Sequence, residues 1–555
     1  MHHLTRRSLL AGATASAATV LAPISGIHRL VAKADCLRSL KEFLQEARQN
    51  QLTGDQRNLI VGQGITLLDE FYCHLPQKRT LYGARPVEHL RDLREAAGGL
   101  NDDLEFHARM MAIFTELHDQ HTRYKPPRPY LSAHAFLPFR IEECLENDRR
   151  KYIVSRIVPG FTHQTFRPGV EVIRWNGTPI EGAADRAGGD GATLSARRCI
   201  GLARLTQCVL QLHPVPEGES VQIRYRADDG QELDIEIAWQ VIALPVPCNS
   251  SCDEMQQMGD FRKFLFAKYD LCSAPIDSSF HTAPGGDVFG YIRLYSFENV
   301  PPLDGDGDKW VDEFKKHVAK YTNTKGLIVD VRDNAGGSIR TSERILQWVA
   351  PPGPIAPSTL YFRATNTTLR FCNLPTSVSA LGPPPAGLHK WSESIKRALD
   401  TGATFSDAFE YTDKAQCNSD DRIVFPRPVI VVTNGMTWSA GEFFAAGFQD
   451  HGGTILGVDE TTGGGGANYR QMSDLSKYFT DDHEASPFAP LADMANGADF
   501  LVAFRRNKRV GRGAGKEIED AGVARNQAYA MTRNDVLHDN QDLKNHAAGL
   551  LAQMR

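Results

Sequence analysis

A serine placed between a strand and a helix is the residue of this sequence best suited to covalent chemistry. The β-branched run 429–432 predicts a buried strand, Asn434 and Gly435 end it, and the Pro-free stretch 440–448 predicts a helix. Ser439 therefore stands at the start of the helix, where the N–H groups of the first turn are free. A serine in such a position is suited to act as an acyl-transfer nucleophile.

The same pattern also fits an ordinary helix cap. Ser439 would then accept a hydrogen bond from the first turn, and Glu442, three residues later, would complete a capping box. Only residues elsewhere in the chain distinguish a cap from a nucleophile.

Two histidines stand where a helix must stop. The apolar spacing of residues 110–117 is helical, and Pro126 and Pro127 follow shortly afterwards. His118 and His121 are therefore expected at the C-terminal end of this helix or just beyond it. A histidine there often serves only as a favourable charge on the helix dipole, and a general base is the alternative.

The chain is long enough for several domains, since 555 residues exceed what one hydrophobic core supports. We expect a multidomain α/β protein. Changes in pattern along the chain predict these parts: a leader at 1–34, a helical region at 35–130, a β-rich domain at 131–245, a polar connector at 246–284, and an α/β core at 285–555 with insertions at about 352–425 and 470–498.

The β-rich part carries two hairpin signals. Asn176 and Gly177 lie between two apolar runs, which is a strong signal for a tight turn. The alternating stretches 221–225 and 233–238 predict a second hairpin, and a helix is expected over 197–212.

The N-terminus predicts export. Residues 1–34 contain four basic residues and no acid, and Arg6 and Arg7 precede a short, Ala-rich apolar run. This is typical of a twin-arginine signal with a cleavage site at 32–34, and the run is too short for a convincing membrane span. We expect a periplasmic or extracellular protein without stable membrane insertion after signal removal.

The charge and the motifs exclude several classes of function. Removing the leader changes the formal net charge from −5 to −9, so nucleic-acid binding is not expected. No CxxC and no paired-histidine spacing indicates zinc. The loop at 304–308 lacks the Gly and Glu of a calcium loop, and the glycine run 461–466 lacks the GK[ST] of a phosphate loop. Neither a metal nor a cofactor is expected.

Four segments, taken in order, resemble the tail-specific (carboxy-terminal processing) serine protease family. They are LHDQHT at 117–122, VDVRDNAGG at 329–337, TNGMTWSAGE at 433–442 and IEDAGV at 518–523. The resemblance covers roughly residues 100–545. It implies a PDZ-like domain after the first segment and a C-terminal crotonase/ClpP-like ββα-spiral catalytic core.

Much of that family uses a Ser–Lys dyad, and this chain lacks the lysine. The matching segment 461–466 reads TTGGGG, and Lys477, the next lysine, falls in a predicted insertion. The chain resembles instead the branch that includes the tricorn core protease and the chlamydial protease-like activity factor. That resemblance implies Ser439 as nucleophile, His121 as general base and Glu519 as the acid that orients His121.

The resemblance also implies an oxyanion hole. The N–H groups of Ala440 and Gly337 would form it, and Gly336 would shape the turn. Glu517 is a second candidate for the acid, and His118 is expected to be structural.

The sequence thus predicts an exported serine endopeptidase acting on a protein or peptide through an acyl-enzyme. A non-catalytic ligand-binding protein on the same fold is the alternative, and a crotonase-like acyl-CoA enzyme is a third interpretation, weakened by the PDZ-like module. The sequence leaves the oligomeric state open, homo-oligomers included.

Overall fold

The computed structural model describes residues 37–49, 51–100, 102–131, 133–158, 160–243, 275–298, 303, 307–374, 388–419, 424–479 and 497–554. The predicted leader at 1–34 lies outside these residues, and so does most of the predicted connector. No helix among the described residues is long and apolar enough to cross a membrane.

The N-terminal region is helical, as its apolar spacing predicts. Thr53 and Gln56 form a capping box at the start of the second helix, and Asp102 caps the fifth by accepting the Leu104 N–H. The elements are strand β1 (Leu37–Ser39), helices α1 (Leu40–Gln49), α2 (Gly54–Glu70), α3 (Leu75–Tyr82), α4 (Pro86–Ala96) and α5 (Asp103–Thr115), and strand β2 (Arg123–Lys125).

The β-rich unit that follows has a hydrophobic core of its own, which α1 also joins. Both predicted hairpins are present, and Asn176 and Gly177 adopt the positive φ values that their turn requires. Its strands are β3 (Ala133–Phe136), β4 (Phe139–Glu146), β5 (Arg149–Ile157), β6 (Glu171–Trp175), β7 (Thr178–Pro179), β8 (Gln207–Val209), β9 (Ser220–Arg226), β10 (Glu232–Ala238) and β11 (Gln240–Ala243), and its helices are α6 (Ile180–Ala187) and α7 (Leu194–Thr206).

Two sheets build this unit. One has the order β10–β9–β6–β5–β4 with β7 on β6, and the other has the order β1–β11–β3–β8. Strand β1 thus completes a sheet of the β-rich unit, although the sequence suggested that it belonged to the helical region.

The remaining chain forms the α/β core. Its strands are β12 (Ile276–Thr282), β13 (Val288–Leu294), β14 (Leu327–Asp330), β15 (Thr359–Phe362), β16 (Phe409–Glu410), β17 (Val429–Thr433), β18 (Thr454–Gly457), β19 (Ala467–Gln471), β20 (Asp499–Lys508) and β21 (Gln527–Ala528). Its helices are α8 (Asp308–Ala319), α9 (Ile339–Arg344), α10 (Leu346–Val349), α11 (Asn366–Asn373), α12 (Leu388–Thr401), α13 (Ala440–Asp450), α14 (Met472–Tyr478), α15 (Arg533–Leu537) and α16 (Gln541–Gln553).

The central sheet of the core has the order β12–β13–β14–β17–β18–β21 and is parallel except for β12. Strand β12 begins inside the stretch expected to be a connector. The neighbours β14 and β17 end side by side, with Asp330 opposite Val432. The turns that follow them, at 331–338 and 434–439, therefore meet at one edge of the sheet, where ligands of α/β proteins usually bind.

A second sheet joins the N-terminal helices to the core. Its order is β16–β15–β20–β19. Strand β2 pairs with the N-terminal end of β20, on the side opposite β19. Strands β15 and β16 come from the predicted insertion at 352–425, so that segment supplies part of a sheet. Side chains of α2 to α5 share one hydrophobic core with both sheets. This packing places the loop after α5 at the edge where β14 and β17 end.

Candidate active site

Ser439 stands immediately before α13 in a strained conformation. Its φ is +51° and its ψ is −124°, which is rare for a residue with a side chain. Its hydroxyl makes no capping hydrogen bond, and Oγ lies 3.0 Å from Nε2 of His121. The helix-cap interpretation is therefore wrong, and a serine–imidazole pair stands in its place.

Glu442 does not form a capping box either. Its buried carboxylate accepts hydrogen bonds from Thr462 Oγ1 at 2.6 Å and from the N–H groups of Gly464 and Gly465 at 2.7 Å each. Burial raises its pKa to about 7, and these three donors act against that shift. Glu442 thus ties the glycine run to the first turn of the nucleophile's helix.

His121 comes from the loop after α5 and is held on the core by its neighbours. Asp119 Oδ1 accepts the His121 N–H at 2.7 Å, and Asp119 Oδ2 accepts the Thr122 hydroxyl at 2.9 Å. That hydroxyl in turn accepts the Ala503 N–H of β20 at 3.0 Å. Tyr469 stacks on the imidazole, with 5.3 Å between the ring centroids.

The protonation state of His121 suits a base. Burial lowers the pKa of the imidazole below its usual value, Asp119 opposes this, and Arg123 and Lys78 add to it. The ring is therefore neutral near pH 7, with Nε2 directed at the Ser439 hydroxyl. A neutral imidazole in this position can accept the serine proton.

Glu519 is buried nearby, but the structure does not bring it to His121. One oxygen, Oε1, lies 2.7 Å from Lys78 Nζ, and the other, Oε2, lies 3.7 Å from His74 Nε2. Among the described residues, His121 Nδ1 has no hydrogen-bond partner. Glu519 therefore belongs to a charged cluster behind the imidazole, whereas the carboxylate directly attached to the His121 loop is that of Asp119.

Lys78 is a buried cation that the sequence analysis missed. Its ammonium contacts Glu519 Oε1 at 2.7 Å and Asp520 Oδ1 at 2.6 Å. Burial alone lowers a lysine pKa, but Glu519, Asp119 and Asp520 together raise the pKa of Lys78 above its usual value. Lys78 is therefore positively charged. Its position in the helical pattern of the sequence does not distinguish it from an exposed lysine.

The pKa of Glu519 is also shifted upward, but here burial is the cause. Burial raises its pKa well above the usual value, Lys78 acts against this, and Asp119 and Asp520 add to it. The other candidate acid, Glu517, is paired with Arg506 and contacts the Tyr361 hydroxyl. No hydrogen bond or ion pair joins Glu517 to His121 or Ser439.

The two-glycine turn after β14 lies directly on the nucleophile. At Gly336, with φ +101°, a methyl group would stand 2.5 Å from Ser439 Cβ and 2.9 Å from the Ala440 nitrogen. Gly337, with φ +130°, packs equally closely on the backbone of Phe297. The N–H groups of Gly337 and Ala440 donate to no acceptor among the described residues, so both are free for a ligand.

Asn334 organises this turn, and the sequence analysis gave it no role. It is fully buried, its Nδ2 donates to Leu294 O at 3.0 Å, and its Oδ1 accepts the Gly336 N–H at 2.9 Å. Its carbonyl oxygen accepts the Trp438 N–H at 2.8 Å. One asparagine therefore joins β13, the glycine turn and the segment that delivers Ser439.

The four glycines at 463–466 have no room for side chains. A Cβ at Gly463 or at Gly465 would overlap the indole ring of Trp438, and one at Gly466 would overlap Ile518. Trp438, the residue before the nucleophile, therefore occupies the space that the side chain of a dyad lysine would need. Lys477 is on α14, is half-exposed and pairs with Asp474, which leaves His121 as the base.

Gly463→Ala is expected to impair the site through the clash of the new methyl group with Trp438. Backbone strain does not contribute, because the backbone at 463 is not left-handed. Overpacking of this kind costs about 1–3 kcal/mol. We expect a loss of that size in the free energy of unfolding, measured in urea, and about tenfold slower labelling by a fluorophosphonate probe.

The matched control for this prediction is Gly549→Ala on α16, where nothing lies within 4 Å of the added methyl. It should gain up to about 1 kcal/mol. Adding Trp438→Leu should restore part of the stability that Gly463→Ala loses. Unchanged stability and labelling in Gly463→Ala would contradict this description of the glycine run.

His118 takes no direct part in the pair. It adopts a positive φ of 48°, its ring packs on Tyr82 at 4.2 Å between centroids, and its carbonyl accepts Lys78 Nζ at 3.4 Å. Gln120 contacts Asp190 of the β-rich unit. Both residues support the loop around His121.

A nucleophilic serine beside a neutral imidazole, with free N–H donors next to it, is the arrangement that serine hydrolases use for acyl transfer. Comparison with known proteins agrees: residues 288–480 match the model of peptidase family S41. The predicted family and the predicted class of enzyme are thereby confirmed. No curated protein sequence gives a significant match to the chain.

Solved structures share the fold. The crystal structure of mature CPAF aligns with a TM-score of 0.65 and 16% identity, over 90% of this chain and 97% of that chain. The structure of mature CPAF complexed with lactacystin gives 0.64 and 16%, over 91% and 98%. The tricorn protease gives 0.37 and 13%, over 90% of this chain and 37% of that one. At these identities the likeness to the two CPAF structures concerns the fold alone, and the tricorn score is too low to indicate a shared fold.

Proposed function

We propose that this protein is an exported serine endopeptidase that hydrolyses peptide bonds through an acyl-enzyme. The observation that carries the proposal is the 3.0 Å contact between Ser439 Oγ and His121 Nε2, inside a buried site. The two residues are 318 positions apart. A serine hydroxyl is a poor nucleophile unless a base removes its proton, and this contact supplies the base.

The reaction begins when His121 takes the Ser439 proton and Oγ attacks the scissile carbonyl carbon. The oxyanion that forms is stabilised by the N–H groups of Ala440 and Gly337, which have no competing acceptor in the described chain. The imidazolium then gives its proton to the leaving amine, and the acyl-enzyme remains. A water molecule activated by His121 attacks the ester and releases the second product.

Of the carboxylates near His121, Asp119 favours its charged form. Asp119 holds the His121 backbone, and Glu519 adds negative charge to the same buried region. In this proposal the acid is not a single residue. Asp119 contacts the His121 loop directly, and Glu519 contributes from the neighbouring charged cluster.

The β-rich unit at 131–245 and the core from 285 are proposed to be a PDZ-like domain and a ClpP-like ββα spiral. The two hairpins and helices of the former, and the parallel sheet of the latter, support these assignments. Export rests on the leader at 1–34 alone.

Covalent labelling tests the catalytic proposal. A fluorophosphonate probe should label the wild-type protein at Ser439, and Ser439→Ala should abolish both labelling and casein degradation. Ser155→Ala is the control, because this buried serine lies on β5 and its hydroxyl has no hydrogen-bond partner in the described part of the chain. A well-folded wild-type protein that takes up no probe would support a ligand-binding protein on the same fold.

A further inference from the structure

A second group of reactive side chains lies behind His121, and the peptidase mechanism leaves it partly unexplained. His74 precedes α3, Asp119 is in the loop after α5, and Glu519 follows β20. One ligand atom of each lies within 4.8 Å of the other two. All three residues are at most 3% exposed. We call His74, Asp119 and Glu519 the inner cluster.

The inner cluster contains polar atoms without partners. The imidazole of His74 is fully buried, and its side-chain neighbour Gln77 acts on its pKa, but neither ring nitrogen has a hydrogen bond of good geometry within the described protein. Glu519 Oε2 also has no hydrogen-bond partner, and it faces His74 Nε2 at 3.7 Å. Buried polar groups are almost always paired, and an ion or ordered water usually accounts for those that have no protein partner.

The charges near the cluster are unbalanced. The carboxylates of Glu519 and Asp520 share one ammonium, that of Lys78, and the nearby cation Arg506 is already paired with Glu517. Asp520 is further satisfied by Gln77 Nε2 at 2.7 Å and the Tyr82 hydroxyl at 2.9 Å. Lys78 contacts Oε1 of Glu519, so Oε2 remains open on the side of His74. A cation on that side would offset negative charge that Lys78 leaves uncompensated.

We propose that His74, Asp119 and Glu519 bind a zinc ion, and that this ion inhibits the peptidase. One imidazole nitrogen with two carboxylate oxygens is a ligand set that suits zinc, whereas calcium and magnesium favour oxygen ligands throughout. Zinc ligands about 2.1 Å from the ion lie roughly 3.4 Å apart, so the side chains would close by about 1 Å around it. A water molecule would complete the tetrahedron.

Inhibition follows from where Asp119 lies, and it rests on the proposed peptidase function. Asp119 accepts the His121 N–H and the Thr122 hydroxyl, so a metal bond to its carboxylate would shift the loop that aims His121 at Ser439. A doubly positive ion behind the imidazole would also oppose its protonation when Ser439 is deprotonated. Both effects slow the same step.

Binding is measured first in a protein that cannot turn over. Full-length Ser439→Ala, stripped with a chelator, is titrated with zinc chloride by calorimetry, and one ion per chain is expected. His74→Ala in this background should weaken binding about 100-fold or more. His281→Ala is the matched control, since its imidazole is also buried and contacts Asn545 outside the cluster. Equal affinity in His74→Ala would overturn the site.

X-ray absorption of the zinc-loaded protein is the second measurement, and it does not depend on a variant that folds. One imidazole and oxygen ligands at about 2.0–2.1 Å are expected. A sulfur ligand at about 2.3 Å would assign the metal to a thiol, such as that of buried Cys73, and would contradict the proposal.

Inhibition is measured last, in enzyme with Ser439 intact, with each variant compared against its own zinc-free rate. Zinc should slow the wild type about tenfold or more, and this ratio should approach one in His74→Ala. Persistent inhibition in His74→Ala would mean that zinc acts elsewhere, for example on His121. If zinc bound in a His74-dependent way but the protein had no peptidase activity, the zinc site would stand and the proposed peptidase function would be overturned.

Discussion

Replacing His121 with alanine is expected to reduce kcat/KM for a peptide substrate by about 10⁴- to 10⁶-fold. The reason is geometric, because His121 Nε2 is the only hydrogen-bond partner of Ser439 Oγ among the described residues. Lys477 is half-exposed on α14 and paired with Asp474, so it does not replace the base. Initial rates on a fluorogenic peptide, together with the rate of fluorophosphonate labelling, measure the loss.

His118→Ala is the matched control for this experiment. It lies three residues earlier in the same loop and is only partly buried, and its ring packs on Tyr82 away from the pair. We expect it to retain activity within about tenfold. If His118→Ala lost as much activity as His121→Ala, the assignment of His121 as the base would fail.

Lys78→Met is expected to be the most destabilising single change near the site. Removing the ammonium leaves Glu519 and Asp520 without their buried cation. Breaking a buried ion pair on one side costs about 3–5 kcal/mol, because the remaining charge is desolvated and unpaired. Urea unfolding followed by tryptophan fluorescence should show a loss of that size, with loss of peptidase activity as the 519–520 turn shifts.

Two further variants separate the charge effect from simple damage to packing. Lys477→Met removes a half-exposed lysine whose pair with Asp474 is worth about 0–1 kcal/mol, so the free energy of unfolding of this variant should be nearly unchanged. Combining Lys78→Met with Glu519→Gln and Asp520→Asn removes the unpaired charges and should recover part of the loss. If the combined variant recovered none of the lost free energy of unfolding, Lys78 would act only by filling space.

Much of the catalytic assignment was accessible from local pattern. The strand–serine–helix junction and the strand with its two-glycine turn are short segments whose conformations depend on their own residues. Gly336 and Gly337 adopt φ values that side chains disfavour, so their positions can be inferred without knowing the fold. The missing lysine was equally visible, and the overlap of Trp438 with the glycine run explains it physically.

The acid behind His121 was less accessible. A family resemblance indicated Glu519, but whether a carboxylate reaches an imidazole depends on the packing of three separate segments. The structure pairs Glu519 with Lys78 and uses Asp119, two residues before His121, to hold the loop. The pattern HDQHT contains Asp119, yet nothing in its spacing separates a buried acceptor from a solvated side chain.

By itself, the sequence predicted a serine peptidase, and its family resemblance indicated Ser439 and His121 as the reactive pair. Such features follow from turn chemistry and from short motifs. Only the tertiary structure decided the surroundings, namely that residues 359–362 and 409–410 complete a second sheet and that His74, Lys78 and Asp119 meet Glu519. The physical reason is that burial and charge pairing between distant segments arise from packing, which local periodicity does not encode.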